Sequence, residues 1–307
     1  MRRLTTEALI SLFLVGCLTV ALTAGPAIGV VVTKGSFRID NSTVWGNGTL
    51  FDGTTIETGM APSNLQLNCG ARLALAAGSR GTIYRDRMVL ERGEGLLADG
   101  AAYRVEARSL RVLPAAPAAN ARVVLTAANR VQVAALAGAV RVTNDAGIPV
   151  ANIAAGTTLE FEPQAAGATA ASQMTGTLEK RDGHYLLTDQ TANVTAELQG
   201  PGLSREVGHC IVVTGALVPS VQAFTPATQM IRVAEVKRCS KKVAAAAAGG
   251  AAAGGAAAAG AATAGAAAAG ITVATQAIIA GVVVAGVAAG SAVALTRGEE
   301  EKKPFSP

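Results

Sequence analysis

The chain predicts a mainly β fold: a sandwich or roll, then a small five-stranded barrel, with one helix near the C-terminus long enough to cross a bilayer. Three observations predict it. Apolar and polar residues alternate with period two in short runs; Gly, Asn and Asp turn signals separate those runs; and one uncharged apolar segment, 271–296, stands apart from them. Of the 307 residues, 50% are hydrophobic and only 3% aromatic, and the 35 glycines are unevenly spread, so each segment is read separately.

Residues 1–27 begin Met1-Arg2-Arg3 and continue as an apolar run from Ala8 to Ala24 that ends in Gly25-Pro26-Ala27. A basic start, an apolar stretch and a small-residue end make a secretory signal. Two other readings stay open, an uncleaved N-terminal anchor and lipidation at Cys17, because Leu14-Val15-Gly16-Cys17 resembles a bacterial lipobox. All three deliver the body of the chain to the same side of a membrane.

Residues 28–163 form the first β domain. Leu65 to Cys69, Arg72 to Leu75, Tyr103 to Arg108 and Val140 to Thr143 alternate in period two, which gives each strand one wet and one buried face. After Arg108 the phase flips, which predicts a bulge or bend. Turns are expected at Gly46-Asn47-Gly48, Asp52-Gly53, Asp99-Gly100 and Asn144 to Gly147. Gly93-Glu94-Gly95-Leu96-Leu97-Ala98 has the spacing of a dinucleotide fingerprint, but strand residues follow it, so no helix N-terminus would meet a phosphate.

A small-residue linker, 164–171, leads to a second β domain at 172–240. A spacer at 241–270, almost wholly Ala and Gly, is expected to be partly helical. The span at 271–296 is 26 residues without a charge, enough for one tilted transmembrane helix. Arg297, Lys302 and Lys303 follow it, so the positive-inside rule makes 297–307 a cytoplasmic tail and puts 28–240 outside.

The charge excludes a nucleic-acid partner. Residues 28–163 hold 13 Lys and Arg against 11 Asp and Glu, and 172–240 hold six of each, so neither domain has a basic face of the size nucleic acid requires. The arginines at 85, 87, 92, 104, 108, 111, 122, 130 and 141 are interleaved with acids at 86, 91, 94, 99 and 106, as on a solvated strand face. His184 and His209 are the only histidines, and neither stands in a catalytic motif, so both are expected at the surface. Asp182, Asp189 and Glu197 lack the Asp-rich loop of a calcium site and read as turn and strand-surface residues. No catalytic residue, cofactor site or metal site is expected.

The order Leu50-Phe51-Asp52-Gly53-Thr54-Thr55-Ile56-Glu57-Thr58-Gly59, then Leu65 to Ser79, then Leu90-Glu91-Arg92-Gly93-Glu94-Gly95, resembles the FecR domain family. Val131 to Val133, Ala137 to Val142 and Gly156 to Phe161 resemble its closing strands. Signalling members of that family relay receptor occupancy to a sigma factor through a cytoplasmic N-terminal region. Here too few residues precede the apolar run at Ala8 to fold as one. The resemblance therefore implies a periplasmic β domain of a bacterial cell membrane protein, with inner-membrane lipid around the span.

Residues 172–240 resemble a small bacterial OB-fold barrel, five strands with a short link before Val207-Gly208-His209-Cys210-Ile211-Val212-Val213-Thr214-Gly215. Nucleic-acid binding by such a barrel uses stacked aromatics in a basic groove, and only Tyr185 and Phe224 are available here. In an OB-like barrel the fourth and fifth strands pair, which implies a disulfide between Cys210 and Cys239. The alternative is that neither pairs, since a one-residue register slip would part them. Cys69, two residues after Leu67, is expected to point inward as a buried free thiol. The implied function is non-enzymatic, the binding of an envelope protein, glycan or wall component; the rival is a FecR-type sensor that couples periplasmic occupancy to a cytoplasmic partner.

Overall fold

The computed structural model describes residues 25–100, 102–126, 130–163, 171–218, 222–239, 276–279 and 282–286. Residues 1–24 of the signal or anchor segment, with Cys17, nearly all of the 164–171 linker, the spacer and the tail lie outside the described residues. The described chain is mainly β, and its only helical element is the 3-10 turn Leu203–Arg205.

The first domain begins with β1 (Gly29–Ile39), β2 (Ser42–Leu50), β3 (Thr54–Thr58), β4 (Ser63–Leu67), β5 (Arg72–Leu75), β6 (Arg80–Ile83) and β7 (Arg87–Ala98). Period-two alternation becomes burial here: in β4, Ser63, Leu65 and Leu67 are inside while Asn64 and Gln66 are exposed. Six of these strands close a ring in the order β1, β3, β6, β7, β5, β4 and back to β1. Closure requires β1 and β7 each to serve two partners along one side. Bulges bend both strands, between Val32 and Ser36 in β1 and opposite Arg80/Gly81 in β7. Gly93 lies just past the second bulge at φ +83°, where a Cβ would run into Ser79. Val31, Phe37, Leu50, Ile56, Leu75, Ile83 and Met88 fill the interior.

Two arms leave β7. One runs through β8 (Arg104–Ala107), β9 (Leu110–Pro114), β12 (Val140–Asn144) and β13 (Pro149–Ile153); the other through β10 (Asn120–Leu125), β11 (Val131–Ala137) and β14 (Thr158–Pro163). Their inward residues, among them Val105, Val112, Val123, Val133, Val142 and Phe161, join one core with the ring. The phase flip after Arg108 is a tight turn between two strands and no bulge within one, because Arg108 takes φ +57° and Ala107 pairs with Leu110. Gly46-Asn47-Gly48 is likewise no turn: it lies inside β2, and the chain reverses earlier, at Asp40-Asn41, both at positive φ.

The second domain is a closed ring of β15 (Ser172–Arg181), β16 (His184–Thr188), β17 (Thr195–Gln199), β18 (Cys210–Leu217) and β19 (Gln229–Arg238). The order is β15, β16, β17, β19, β18 and back to β15, with β17 and β19 parallel and the rest antiparallel. β15 pairs with β18 over its first half and with β16 over its second, changing partner just after Gly176. A Cβ on Gly176 would overlap the Thr188 carbonyl oxygen, so the side chain is absent where the strand coils.

The expected transmembrane helix at 271–296 is not what its described residues form. Gln276–Ile279 (β20) and Val282–Gly286 (β21) are a β-hairpin. β21 extends the sheet along the free edge of β14, and β20 touches β15 through Gln173 and Ile278. Ala277, Ile279, Val282 and Val284 are buried in the core. Hydropathy alone does not separate a bilayer span from buried strands, and the β-branched residues of this segment favour strand once an open edge can satisfy their backbone. Among the described residues no helix is long and apolar enough to cross a membrane.

Candidate functional site

The chain's single tryptophan is 75% exposed. Trp45 stands in β2, which pairs only with β1 among the described strands. Its neighbour Val44 packs on the core, so Trp45 faces outward, beside Ser36 across the β1 bulge. Val30 and Val32 of β1 are 47% and 51% exposed on the same side. Register places Thr49 and Asn47 beside them on one flank and Gln66 and Asn64 on the other, all exposed. An indole, two isopropyl groups, a hydroxyl and three carboxamides, all uncharged, thus share a sheet face, bordered by Arg72 opposite Gln66, by Arg38 opposite Thr43 and by the exposed Lys34. Such a face offers apolar stacking together with neutral donors and acceptors.

Many of the charged side chains form ion pairs. Arg122 Nε and Nη2 donate to both oxygens of Glu94 at 2.6 and 2.8 Å. Arg104 meets Asp86 at 2.9 Å and Glu106 at 2.8 Å, and Arg130 meets Glu160 at 2.8 Å. In the polar depression lined by Arg38, Asp40, Asn41, Thr55, Glu57 and Arg80, the Glu57 carboxylate receives Arg92 at 2.9 Å and Arg38 and Arg80 at 3.7 Å. Arg80 also holds Glu91 at 2.8 Å. Of the interleaved arginines, Arg87, Arg92, Arg104, Arg111, Arg122 and Arg130 are therefore ion-paired.

On the barrel, His184 opens β16 and Glu197 sits in β17. His184 Nδ1 lies 2.7 Å from Glu197 Oε1, and Glu197 Oε2 accepts the Phe224 amide at 2.7 Å. The His184 and Phe224 rings stack at 4.3 Å, 5° from parallel. Burial pushes the Glu197 carboxyl up, but the Phe224 amide and His184 outweigh it, and the group titrates below its ordinary value. His184 is half-buried and Glu197 is buried, which corrects the reading of the first as a surface histidine and of the second as a strand-surface residue. The Glu197 carboxylate and the Phe224 ring together fix the orientation of the His184 imidazole.

Asp189 is also buried, contrary to expectation. Its Oδ1 accepts the Thr191 and Ala192 amides and its Oδ2 the Thr175 amide, which locks the turn after β16 onto β15. Asp182 stays exposed in the β15–β16 turn at φ +50°. These carboxylates do not converge, and among the described residues no cluster fit for a metal is found. Gly93 to Ala98 lies within β7 and provides no helix N-terminus. His209 is exposed just before β18.

Cys210 and Cys239 are disulfide-bonded, with Cα atoms 5.4 Å apart. Cys69 is free but exposed, not buried. β4 ends at Leu67, and Asn68 to Gly70 form a turn closed by the Gly70 amide on the Leu67 carbonyl at 2.9 Å, so the strand alternation stops two residues before Cys69.

The Trp45 face and the His184–Phe224 stack both escape sequence inspection. A lone Trp between Val44 and Gly46 carries no exposure signal, and the partners of His184 lie 13 and 40 residues away. Comparison with known proteins finds no family model and no curated protein that matches the chain.

Proposed function

We propose that this chain is a non-enzymatic binding protein of the bacterial cell envelope, with its FecR-like first domain and OB-type barrel outside the membrane, and that the first domain holds a neutral glycan. The exposed, uncharged face of Trp45, Val30, Val32, Asn47, Thr49, Asn64 and Gln66 carries this reading. A sugar ring has an apolar C–H face and hydroxyl edges. The indole offers the first a stacking partner, and the carboxamides and Thr49 offer the second neutral donors and acceptors. A protein monomer otherwise seldom leaves its only tryptophan in water beside exposed valines.

Export is supported by the basic, apolar and small-residue order of 1–27 and by the Cys210–Cys239 disulfide, a bond that persists in oxidising compartments. The OB-type reading of the barrel is supported by its strand order and its single parallel pairing, β17 with β19.

The test is co-sedimentation of the full chain with insoluble neutral polysaccharides and with purified wall sacculi. Retention on a neutral glycan that falls at least about tenfold for Trp45→Ala, and stays for Arg92→Ala, is expected for a stacked aromatic anchor. Retention indifferent to Trp45, or none on any glycan, would remove the reading.

A further inference from the structure

We infer that the C-terminal hairpin is exchangeable between copies: β20–β21 of one chain pairs with β14 and β15 of a second, and the reverse. The acceptor is an edge of known register. Leu159, Glu160, Phe161, Glu162 and Pro163 face Gly286, Ala285, Val284, Val283 and Val282. Without an occupant, β14 would present bare amides and carbonyls beside Phe161, which is fully buried and pairs with Val284 of the hairpin. An open apolar edge of this kind selects a strand as its ligand.

The donor is equally specific. The hairpin has no charged residue, and its described contacts are main-chain pairing and the burial of small and β-branched side chains. Nothing in those contacts distinguishes the chain's own edge from the identical edge of another copy. Residues 240–275 join Cys239 to the hairpin, and in sequence they are mostly Ala and Gly. A tether of that length can reach at most about 120 Å, several times the radius of a domain of this size. The connection therefore does not restrict the hairpin to its own β14. Exchange reproduces every contact of the closed form and differs from it only by tether entropy, the condition under which identical elements swap. The closed form holds its hairpin at an effective concentration on the order of millimolar, so exchange is set when chains fold together or are crowded.

The test uses two differently tagged full-length copies made in one cell, both with Cys17→Ser and Cys69→Ser. One carries Glu160→Cys and the other Ala285→Cys, a directly opposed cross-strand pair. The expected result is a covalent heterodimer on mild oxidation, lost on reduction and lost when the Ala285→Cys copy also carries Val283→Pro, which breaks β21. A single chain with both cysteines that closes internally while the co-produced copies stay monomeric overturns exchange. Heterodimer that survives Val283→Pro also overturns it, since the contact is then collision and not strand pairing, and absence of any cross-link in either format removes the docked hairpin itself.

Discussion

Asp189 shows how much a single buried carboxylate organises. It accepts three main-chain amides within 2.9 Å, that of Ala192 buried and those of Thr175 and Thr191 part-buried. Asp189→Ala is expected to destabilise by about 2–4 kcal/mol, since unpaired buried donors carry most of their desolvation cost, and Asp189→Asn by less; urea denaturation measures both. Glu197 is the pH-sensitive counterpart. Its carboxyl is depressed in the folded chain, so its contribution is fully present above the unfolded value near 4.5 and is lost as pH falls through the lower folded value. Urea midpoints measured from about pH 6 down to about pH 3 should fall less steeply for Glu197→Gln than for the native chain. An equal slope would mean that the carboxylate gains nothing from His184 and Phe224. The burial of Asp189 and Glu197 was not legible in the sequence, because an acid after an alternating strand looks the same whether amides or water meet it.

At the level of the element, the barrel depends on a strand that coils and on a link that closes it. Gly176 lies where β15 leaves β18 for β16, and the Thr188 carbonyl occupies the space of a side chain. Gly176→Val should cost several kcal/mol, roughly at the upper end of overpacking, and should broaden or abolish the thermal transition of the barrel. The Cys210–Cys239 bond spans 29 residues and ties the start of β18 to the end of β19. Cys210→Ser with Cys239→Ser should lower stability by about 3–4 kcal/mol, measurable by denaturation with and without reductant; reductant should leave the double variant unchanged. These elements were largely readable in advance. Five strands and the β18–β19 pairing follow from alternation and an OB resemblance. The tight turns at Arg108 and at Asp40-Asn41 did not follow, since these positive-φ residues carry no glycine signal.

For the molecule as a whole, the decisive position is β14. It joins β11 of the first domain to the C-terminal hairpin, which in turn touches β15 of the barrel. Phe161, fully buried there, should cost about 3–5 kcal/mol on replacement by alanine, whereas Trp45→Ala, at an exposed site, should change stability by less than about 0.5 kcal/mol. Calorimetry of the two variants separates a core aromatic from a surface one. A comparable loss in both would mean that Trp45 belongs to the core.

The sequence by itself determined the β class, the strand-by-strand alternation of buried and exposed residues between residue 28 and residue 240, and the near-balance of charge. Those properties are local: alternation, turn residues and composition act within a few positions. Tertiary structure alone decided that six strands of the first domain close a ring, that Glu197, Phe224 and His184 meet, and that an uncharged apolar run pairs as a hairpin with β14 in place of a helix. Each depends on which distant strand edge remains open and which backbone groups need partners, and that is settled only when the whole sheet has assembled.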